Sequence, residues 1–582
     1  MPKPLASTPA RTPVPPDSLP PVYGVPGTPA DPRNGPYWPT QQPGYVLPMP
    51  AAPGRKRPSG LAIAGVVLVV IVLLAVMIAG VSNLLGRRSI TNATATPVPT
   101  QPTSIPTTQP GRPTSAFQSA PCPFQLGTGI VDGQQVNCGY VTVPENRNVN
   151  DGRKVKLALA IFKAPRFLNT PDPHPLLRLD GGPGGPSLDN WAHYVTAANY
   201  NTFIFDHDLI MFDQRGTGYS TPLLKCPELI SLQDASLVGS QQTYEQAART
   251  CHDRLVTQGI DLNGYNSLQN AADVRDLIYA LGYRQMTLYG VSYGTRLALT
   301  VMRLYPSVVH ASVLDSVYPP DHNRNDLPSD AQRVFNTLFQ GCAKDASCNA
   351  KYPNLESVFY KLVDTLNAHP VSFNTVDPTT NNPYTVSFAG NDLVGWLFST
   401  LYVTSFIPAL PQTIYQIRAH NYSQLSYLYG AITFDDTFSD GMFYSTTCSE
   451  DWAFLTKQDI TRSLQGITPH IAAVFGLYEQ QEYDICQFWK VQAVPASQKL
   501  PVLSNLPTLV LSGEYDPITP PSNGQEVAQE LSHSYYFLFP GQGHGEEYSS
   551  ACSDQIVSAF EDNPDQQPSG ACISKMTEPA FP

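Results

Sequence analysis

The segment that most restricts the fold of this 582-residue chain lies between residues 286 and 304. It reads MTLYGVSYGTRLALTVMRL: an apolar strand-like run, then the pattern G-x-S-x-G, then a helical run that ends before Pro306. Gly290 and Gly294 lack a Cβ atom, so the backbone can turn sharply there and present the Ser292 hydroxyl above a sheet. An isolated G-x-S-x-G can be an ordinary turn, but this strand and helix context predicts that Ser292 is a nucleophile.

Beyond Cys122 the chain alternates short apolar runs with segments of helical periodicity. This alternation is typical of a mostly parallel sheet flanked by helices, so we predict an α/β fold class. A predicted helix comes directly before residue 286 and ends near Gly282. The predicted strands are residues 140–143, 155–162, 176–179, 208–212, 286–289, 311–314, 508–511 and 535–539.

A serine nucleophile needs a base and a group that orients this base, and suitable residues follow later in the chain. A late predicted strand leads into the turn SGEYD, which presents Asp516. His544 lies in the glycine-rich loop PGQGHG after the last predicted strand. We therefore predict a catalytic triad of Ser292, Asp516 and His544. The rival acids are Asp315, at the end of an earlier strand, and Glu514.

Acyl transfer also needs donors for the oxygen that becomes negatively charged, and two backbone N–H groups supply them in such sites. One comes from the residue after the nucleophile, here Tyr293. The other comes from the loop after the third strand, which reads DGGPGG from Asp180 to Gly185. Because clustered glycines let the main chain approach a ligand closely, we predict Gly182 as the second donor. A plain Gly-Pro turn is the alternative interpretation.

Three motifs together resemble those of the prolyl aminopeptidase and tripeptidyl aminopeptidase family of α/β-hydrolases. They are DGGPGG at 180–185, FDQRGTGYS at 212–220 and GVSYG at 290–294. The resemblance covers residues 120–582, and the part after Cys486 is similar to the C-terminal segment of the tripeptidyl aminopeptidase branch. Many members begin the first motif with His where this chain has Asp180. That difference leaves the backbone donors intact and removes a side chain that could contact substrate.

The resemblance implies an α/β-hydrolase core whose sheet is interrupted after strand six by a helical cap. The core would comprise residues 121–319 and 501–582, and the cap residues 320–500. It also implies that N-terminal residues are released from peptide substrates, as proline, a dipeptide or a tripeptide. Ser292 would attack the carbonyl, His544 would act as base and then acid, and Asp516 would hold the imidazole. Neither a cofactor nor a metal is expected.

Aminopeptidase action further requires an anion for the ammonium group of the substrate. Related enzymes supply cap carboxylates for this purpose, and Glu450 in the sequence TCSEDW is our prediction. Asp451 and Glu482 are alternatives, and surface acids beside a disulfide would give the same sequence pattern. Arg215 is expected to tie loops together rather than to act in catalysis.

Two other functions fit part of these motifs. A surface carboxylesterase or lipase-type hydrolase would use the same triad, and G-x-S-x-G does not exclude it. A non-catalytic binding protein on the same scaffold would be expected to lose part of the triad, and all three residues are present. Fold alone does not decide between these functions.

The N-terminal region has a different composition from the rest of the chain. Residues 1–54 contain 17 of the 57 prolines and are predicted to be a disordered tail. Residues 61–81 carry no charge and are long enough to span a bilayer as a transmembrane helix, with a cleaved signal peptide as the alternative. Residues 89–120, rich in Ser, Thr and Pro, are predicted to be a stalk. Basic residues before the span favour a cytoplasmic N-terminus and an extracellular catalytic domain in a single-pass cell-membrane protein.

All ten cysteines follow the apolar segment, and none forms a CxxC pair. Disulfides persist in oxidising compartments, so this usage agrees with an extracytoplasmic body. Many pairings are possible, and short loops favour nearest neighbours. The body, residues 121–582, holds 26 Lys and Arg against 45 Asp and Glu, and this acidic balance argues against nucleic acid as a partner.

Overall fold

The computed structural model describes residues 116–581, apart from 168–169, 231–243, 379, 435 and 578. Its strands, numbered along the chain, are β1 Phe117–Ser119, β2 Val136–Pro144, β3 Lys154–Phe162, β4 Leu176–Leu179, β5 Leu209–Phe212, β6 Met286–Val291, β7 Val309–Asp315, β8 Val371–Val376, β9 Pro383–Phe388, β10 Thr508–Gly513 and β11 Ser534–Phe539. Its α-helices are α1 Ser187–Trp191, α2 Tyr200–Phe203, α3 Tyr244–Thr257, α4 Ser267–Ala280, α5 Tyr293–Leu304, α6 Leu327–Lys344, α7 Ala346–Lys351, α8 Leu355–Ala368, α9 Gly390–Thr400, α10 Leu410–Arg418, α11 Ser423–Thr433, α12 Asp440–Glu450, α13 Lys457–Ser463, α14 Pro469–Trp489, α15 Pro521–Glu530 and α16 Ala551–Asp562.

Nine strands form one sheet in the order β1-β2-β3-β5-β4-β6-β7-β10-β11. Pairing is antiparallel from β1 to β5 and parallel from β5 to β11. All eight predicted strands are present, and the mostly parallel sheet is confirmed. Since β4, β6, β7 and β10 run in the same direction, their carboxyl ends meet at one edge of the sheet. This is the edge at which open α/β sheets place their sites.

Both faces of the central strands are buried, which explains their continuous apolar sequences. In β5, Leu209 and Met211 belong to one hydrophobic cluster and Ile210 and Phe212 to another. Helices α3, α4 and α5 contribute to the cluster on one face, and α1, α2 and α16 to the cluster on the other. The sheet is therefore the middle layer of three, which is the arrangement expected for α/β proteins.

Residues 320–500, here called the cap, connect β7 to β10. The described part of the cap holds helices α6 to α14 and an antiparallel hairpin of β8 and β9, which was not predicted. A separate hydrophobic cluster lies mostly within the cap, with Phe335, Phe359 and Trp396 among its buried members, while α12 and the end of α14 pack into a cluster of the core. The cap follows the sixth predicted strand, which is β7 because the unpredicted strand β1 adds one to the count.

The five disulfides join Cys122 to Cys138, Cys226 to Cys251, Cys342 to Cys348, Cys448 to Cys486 and Cys552 to Cys572. The nearest-neighbour pairing favoured by short loops is confirmed. Each bridge closes a loop within the core or within the cap, and none links the two.

The predicted tail at 1–54, the predicted transmembrane helix at 61–81 and stalk residues 89–115 lie outside the described residues. Among the residues that the structure does describe, no helix is both long and apolar enough to cross a membrane. The predicted stalk runs to residue 120, but Phe117–Ser119 form β1. They do so because β2 offers a free edge, and Phe117 pairs there with Val141.

Candidate active site

Ser292 occupies the sharp turn between β6 and α5. Its backbone has φ 57° and ψ −124°, and a positive φ is uncommon for a residue other than glycine. A Cβ atom on Gly294 would collide with the carbonyl oxygen of Leu179, and one on Gly290 with that of Gly294. The two glycines of the motif are thus required by close main-chain packing. The turn places Ser292 directly before Tyr293, the first residue of α5, as the motif predicts.

Asp516 and His544 are brought together by the turns after β10 and β11. Nδ1 of His544 lies 2.9 Å from Oδ2 of Asp516, whose side chain is fully buried. The carboxylate also accepts hydrogen bonds from the Thr519 backbone N–H, at 2.9 Å, and from its hydroxyl, at 2.6 Å. Burial alone would raise the pKa of Asp516, but His544 and Thr519 outweigh burial and keep the pKa below its ordinary value. The carboxylate is therefore ionised and correctly placed to orient an imidazole.

The rival acid Asp315 has a different role. Its carboxylate accepts hydrogen bonds from the backbone N–H groups of Glu546, at 2.8 and 2.9 Å, and Glu547, at 2.9 Å. Its backbone carbonyl accepts the N–H of Ser292 at 3.0 Å. Burial raises the pKa of Asp315 to about 6, against the opposing effect of these N–H donors. Asp315 thus joins the Ser292 turn to the loop that carries His544.

The predicted oxyanion loop, residues 180–185, approaches Ser292 through its glycines. A Cβ atom on Gly181 would lie 2.8 Å from Cβ and 3.3 Å from Oγ of Ser292. Gly182 has φ +114°, a conformation that L side chains rarely adopt. The Tyr293 side chain is buried, with its hydroxyl 2.9 Å from Ser267 Oγ and 3.2 Å from Asn270 Nδ2. The loop of Gly182 thus meets Ser292 at Gly181, and Tyr293 directly follows Ser292 in the chain; the donor roles of Gly182 and Tyr293 stay predictions.

A cavity beside Ser292 is lined by side chains from the start of the cap and from the segment after Asp516. They are Tyr318, His322, Asn323, Arg324, Asp326, Leu327, Asp330, Ile518, Thr519 and Asn523. Two of its lining residues, Asp326 and Asp330, are acids that the sequence analysis did not single out. Burial raises the pKa of both carboxyl groups, and Asp326 raises that of Asp330 further, to well above the usual range. They lie 11 and 15 residues after Asp315, the last residue of β7, and no local sequence pattern marks them.

Glu450 is not among the residues that line this cavity. Its carboxylate accepts the Ser267 backbone N–H at 2.6 Å and the Ser267 hydroxyl at 2.8 Å. It lies 3.7 Å from the guanidinium of Arg296 and lines a second, smaller cavity with Lys499. The two alternatives also have partners. Asp451 pairs with Arg296, and Glu482 pairs with Arg324 at 2.7 Å and accepts the Trp452 indole N–H at 2.9 Å.

Asp180 and Arg215 both point into the core. The Asp180 carboxylate accepts the Trp191 indole N–H at 3.0 Å and a hydrogen bond from the Arg178 guanidinium. Arg215 is completely buried, pairs with Asp273 at 2.7 Å and donates to backbone carbonyls of neighbouring loops. These contacts agree with the structural role expected for Arg215.

The acid assignment leads to a prediction. Asp516→Asn should lower turnover by ~10⁴-fold, because the amide favours the wrong imidazole tautomer. Asp315→Asn should instead lower stability by about 1–3 kcal/mol, because its amide offers one acceptor oxygen where the carboxylate offers two to the N–H groups of Glu546 and Glu547. Turnover and thermal unfolding of both variants provide the check. Equal losses of turnover in two variants of equal stability would show that the acid is wrongly assigned.

The chain is similar to two protein families and to several hydrolases. The alpha/beta hydrolase fold family matches residues 174–361, and the TAP-like protein family matches residues 472–571. The chain is 25% identical to serine protease Hip1 of Mycobacterium tuberculosis (strain ATCC 25618 / H37Rv), over 75% of this chain and 86% of that protein. It is 28% identical to tripeptidyl aminopeptidase of Streptomyces coelicolor, over 36% of this chain and 40% of that protein. Carboxylesterase B of Mycobacterium tuberculosis (strain CDC 1551 / Oshkosh) is 25% identical, over 72% of this chain and 83% of that protein. The chain therefore has the α/β-hydrolase fold with a TAP-like C-terminal segment, and it is a serine hydrolase.

Proposed function

We propose that this hydrolase is a membrane-anchored, extracytoplasmic serine aminopeptidase that releases proline, a dipeptide or a tripeptide from the N-terminus of peptides. The observation that carries the hydrolase chemistry is the 2.9 Å contact between His544 and Asp516, together with Asp315, which ties the loop of His544 to the Ser292 turn. Two relatives whose names describe peptidases, serine protease Hip1 and tripeptidyl aminopeptidase, support the choice of peptide substrates.

The reaction follows from the roles of these groups. With Nδ1 of His544 directed at Asp516, the Nε2 atom takes the proton from Ser292 as its Oγ attacks the carbonyl carbon. The negative charge that develops on the carbonyl oxygen is stabilised by the N–H groups of Gly182 and Tyr293. His544 then donates its proton to the leaving amine. Water attacks the acyl-enzyme by the same route, which frees Ser292.

The amine of the substrate needs an anion in the same cavity as Ser292. Asp326 and Asp330 line that cavity, whereas Glu450, the residue chosen from sequence, lines a different one. An arriving ammonium favours the ionised form of a nearby carboxyl group, which offsets the effect of burial on its pKa. We therefore assign amine recognition to Asp326 and Asp330, and we assign Glu450 to the contact between cap and core.

An esterase is the second candidate function. It is favoured by one observation, the similarity to carboxylesterase B over 72% of this chain. The triad chemistry would be the same, and the difference would lie in whether a free amine contributes to substrate binding.

The membrane anchor is part of the proposal and rests on the sequence. Residues 61–81 form an uncharged run that is long enough to cross the hydrocarbon layer. Five disulfides in the body agree with an oxidising compartment outside the cytoplasm. The N-terminus would then lie in the cytoplasm, as the basic residues before the span favour.

Loss of the nucleophile tests the proposed chemistry. Ser292→Ala should remove nearly all hydrolysis, because the members of a triad act as a unit and losing one costs up to ~10⁶-fold in turnover. Thermal unfolding should change little. A variant that keeps more than a few per cent of the wild-type rate with an unchanged unfolding curve would exclude Ser292 as the nucleophile.

Amine recognition separates an aminopeptidase from an esterase. N-acetylated peptide amides should be cleaved at least ~30-fold more slowly than free-amine peptides, because a partly desolvated ion pair contributes about 2 kcal/mol or more. The Asp330→Asn and Asp326→Asn variants should lose much of this preference, which is measured as the ratio of kcat/KM for the two substrates. Glu450→Gln is the matched comparison and should keep it. Equal cleavage of blocked and free peptides by the wild type would favour the esterase; loss confined to Glu450→Gln would restore the sequence-based choice.

The proposed anchor and its orientation can be tested on intact cells. Protease added outside should cut between residues 89 and 115, because a segment rich in Ser, Thr and Pro is accessible. An active fragment should appear in the medium while the tail stays with the cells. Immunoblots against the tail and the body provide the measurement. Tail fragments in the medium instead would reverse the proposed orientation.

A further inference from the structure

A buried arginine lies between two loops of the candidate site. Arg178 belongs to β4, directly before the oxyanion loop, and is 1% exposed. Its Nε donates to both carboxylate oxygens of Asp180, at 3.1 and 3.2 Å. Another nitrogen of the same guanidinium donates to the carboxylate of Glu547, three residues after His544. One side chain thus binds the first residue of the oxyanion loop and the loop that carries His544.

The surroundings of Arg178 fix its orientation. Its guanidinium lies over the Trp191 ring, 4.0 Å from the ring centroid, and the Trp191 indole N–H donates to Asp180. The Ser187 hydroxyl donates to the second oxygen of Asp180. The planar fork of an arginine can bridge two carboxylates at fixed angles, which a lysine ammonium cannot do.

Both partners of Arg178 are joined to the reacting groups through the main chain. Asp180 is two residues from Gly182, and its backbone carbonyl accepts a hydrogen bond from the Gln214 amide at 2.8 Å. Glu547 donates its backbone N–H to Asp315, which also binds the Ser292 turn. Movement of Arg178 would therefore shift the oxyanion loop relative to the His544 loop.

We propose that Arg178 is a positioning residue that fixes the distance between the oxyanion donor Gly182 and the base His544. The inference rests on the proposed function, since it takes the roles of Gly182, His544 and Ser292 from there. The N–H of Gly182 must bind the carbonyl oxygen while His544 reaches Ser292 Oγ and the leaving amine of the same substrate. A misplacement of about 1 Å between such groups can cost ~10²-fold in rate.

This role predicts a loss in turnover rather than in substrate binding. Arg178→Met should lower kcat by ~10²-fold and change KM by less than about threefold. The affinity for a peptide boronic acid, which forms a tetrahedral adduct with the serine, should fall in parallel with kcat, while inhibition by the free product peptide should not. Arg178→Lys should show a smaller loss, because it keeps the charge but lacks the fork.

The matched control is Arg147→Met. Arg147 also bridges two carboxylates, Asp273 and Asp276, each at 2.7 Å, and it contacts neither loop. We expect this variant to lose stability but to keep kcat within about threefold. Full-length enzyme and all variants are assayed well below their unfolding temperatures.

Three results would overturn the inference: a kcat within threefold of wild type for Arg178→Met, equal losses for the two Met variants, or a boronate affinity that does not follow kcat. If Arg178→Met does not fold, Glu547→Gln and Arg178→Lys are measured in its place. We expect kcat and boronate affinity to fall in parallel in both variants, and by less than ~10²-fold in Arg178→Lys. Ser292→Ala, assayed alongside, keeps the two proposals separate. Activity in Ser292→Ala refutes the proposed function, whereas an inactive Ser292→Ala with a fully active Arg178→Met refutes only the role of Arg178.

Discussion

The arrangement of the candidate site depends on main-chain contact between the end of β4 and the turn that carries Ser292. No side chain fits at Gly294, because its position is taken by the carbonyl of Leu179. The same contact brings Gly181 against Ser292 and thereby places the oxyanion loop beside the nucleophile. The contact forms because β4 lies beside β6 in the sheet and because the backbone turns sharply at Ser292 into α5. The two glycine-rich motifs of the sequence are thus two sides of a single interface.

The parts of the molecule that were predictable from sequence are those defined by local pattern. Every predicted strand is present because buried central strands carry continuous apolar runs, and the turns after β10 and β11 bring together Asp516 and His544 as their positions at strand ends indicate. The strand β1 was missed because its three residues lie in a Ser, Thr and Pro-rich segment. The hairpin of β8 and β9 was missed because it belongs to the cap, where the sequence analysis assigned helices.

The contacts of Glu450 could not be predicted from the sequence. Its neighbours Ser267 and Arg296 are about 150 to 180 residues away in the chain, so nothing local indicates that its carboxylate is already occupied. Asp330 could not be predicted either, because no motif marks it. The packing of α6 over the Asp516 turn places it in the same cavity as Ser292.

The cap and the helix that follows the nucleophile, α5, are in direct contact. Arg296 of α5 donates to Asp451 at 2.8 Å and to the carbonyls of Pro319 and His322.

The order of the disulfides along the chain affects how they can form during synthesis. A chain that emerges from its N-terminus exposes the cysteines in the same order in which they pair, and each loop closes over only 6 to 38 residues. The correct partner is therefore the nearest free thiol at each stage of synthesis. Oxidation can keep pace with the growing chain, and no bridge has to be broken and remade when the cap is inserted between the two parts of the sheet.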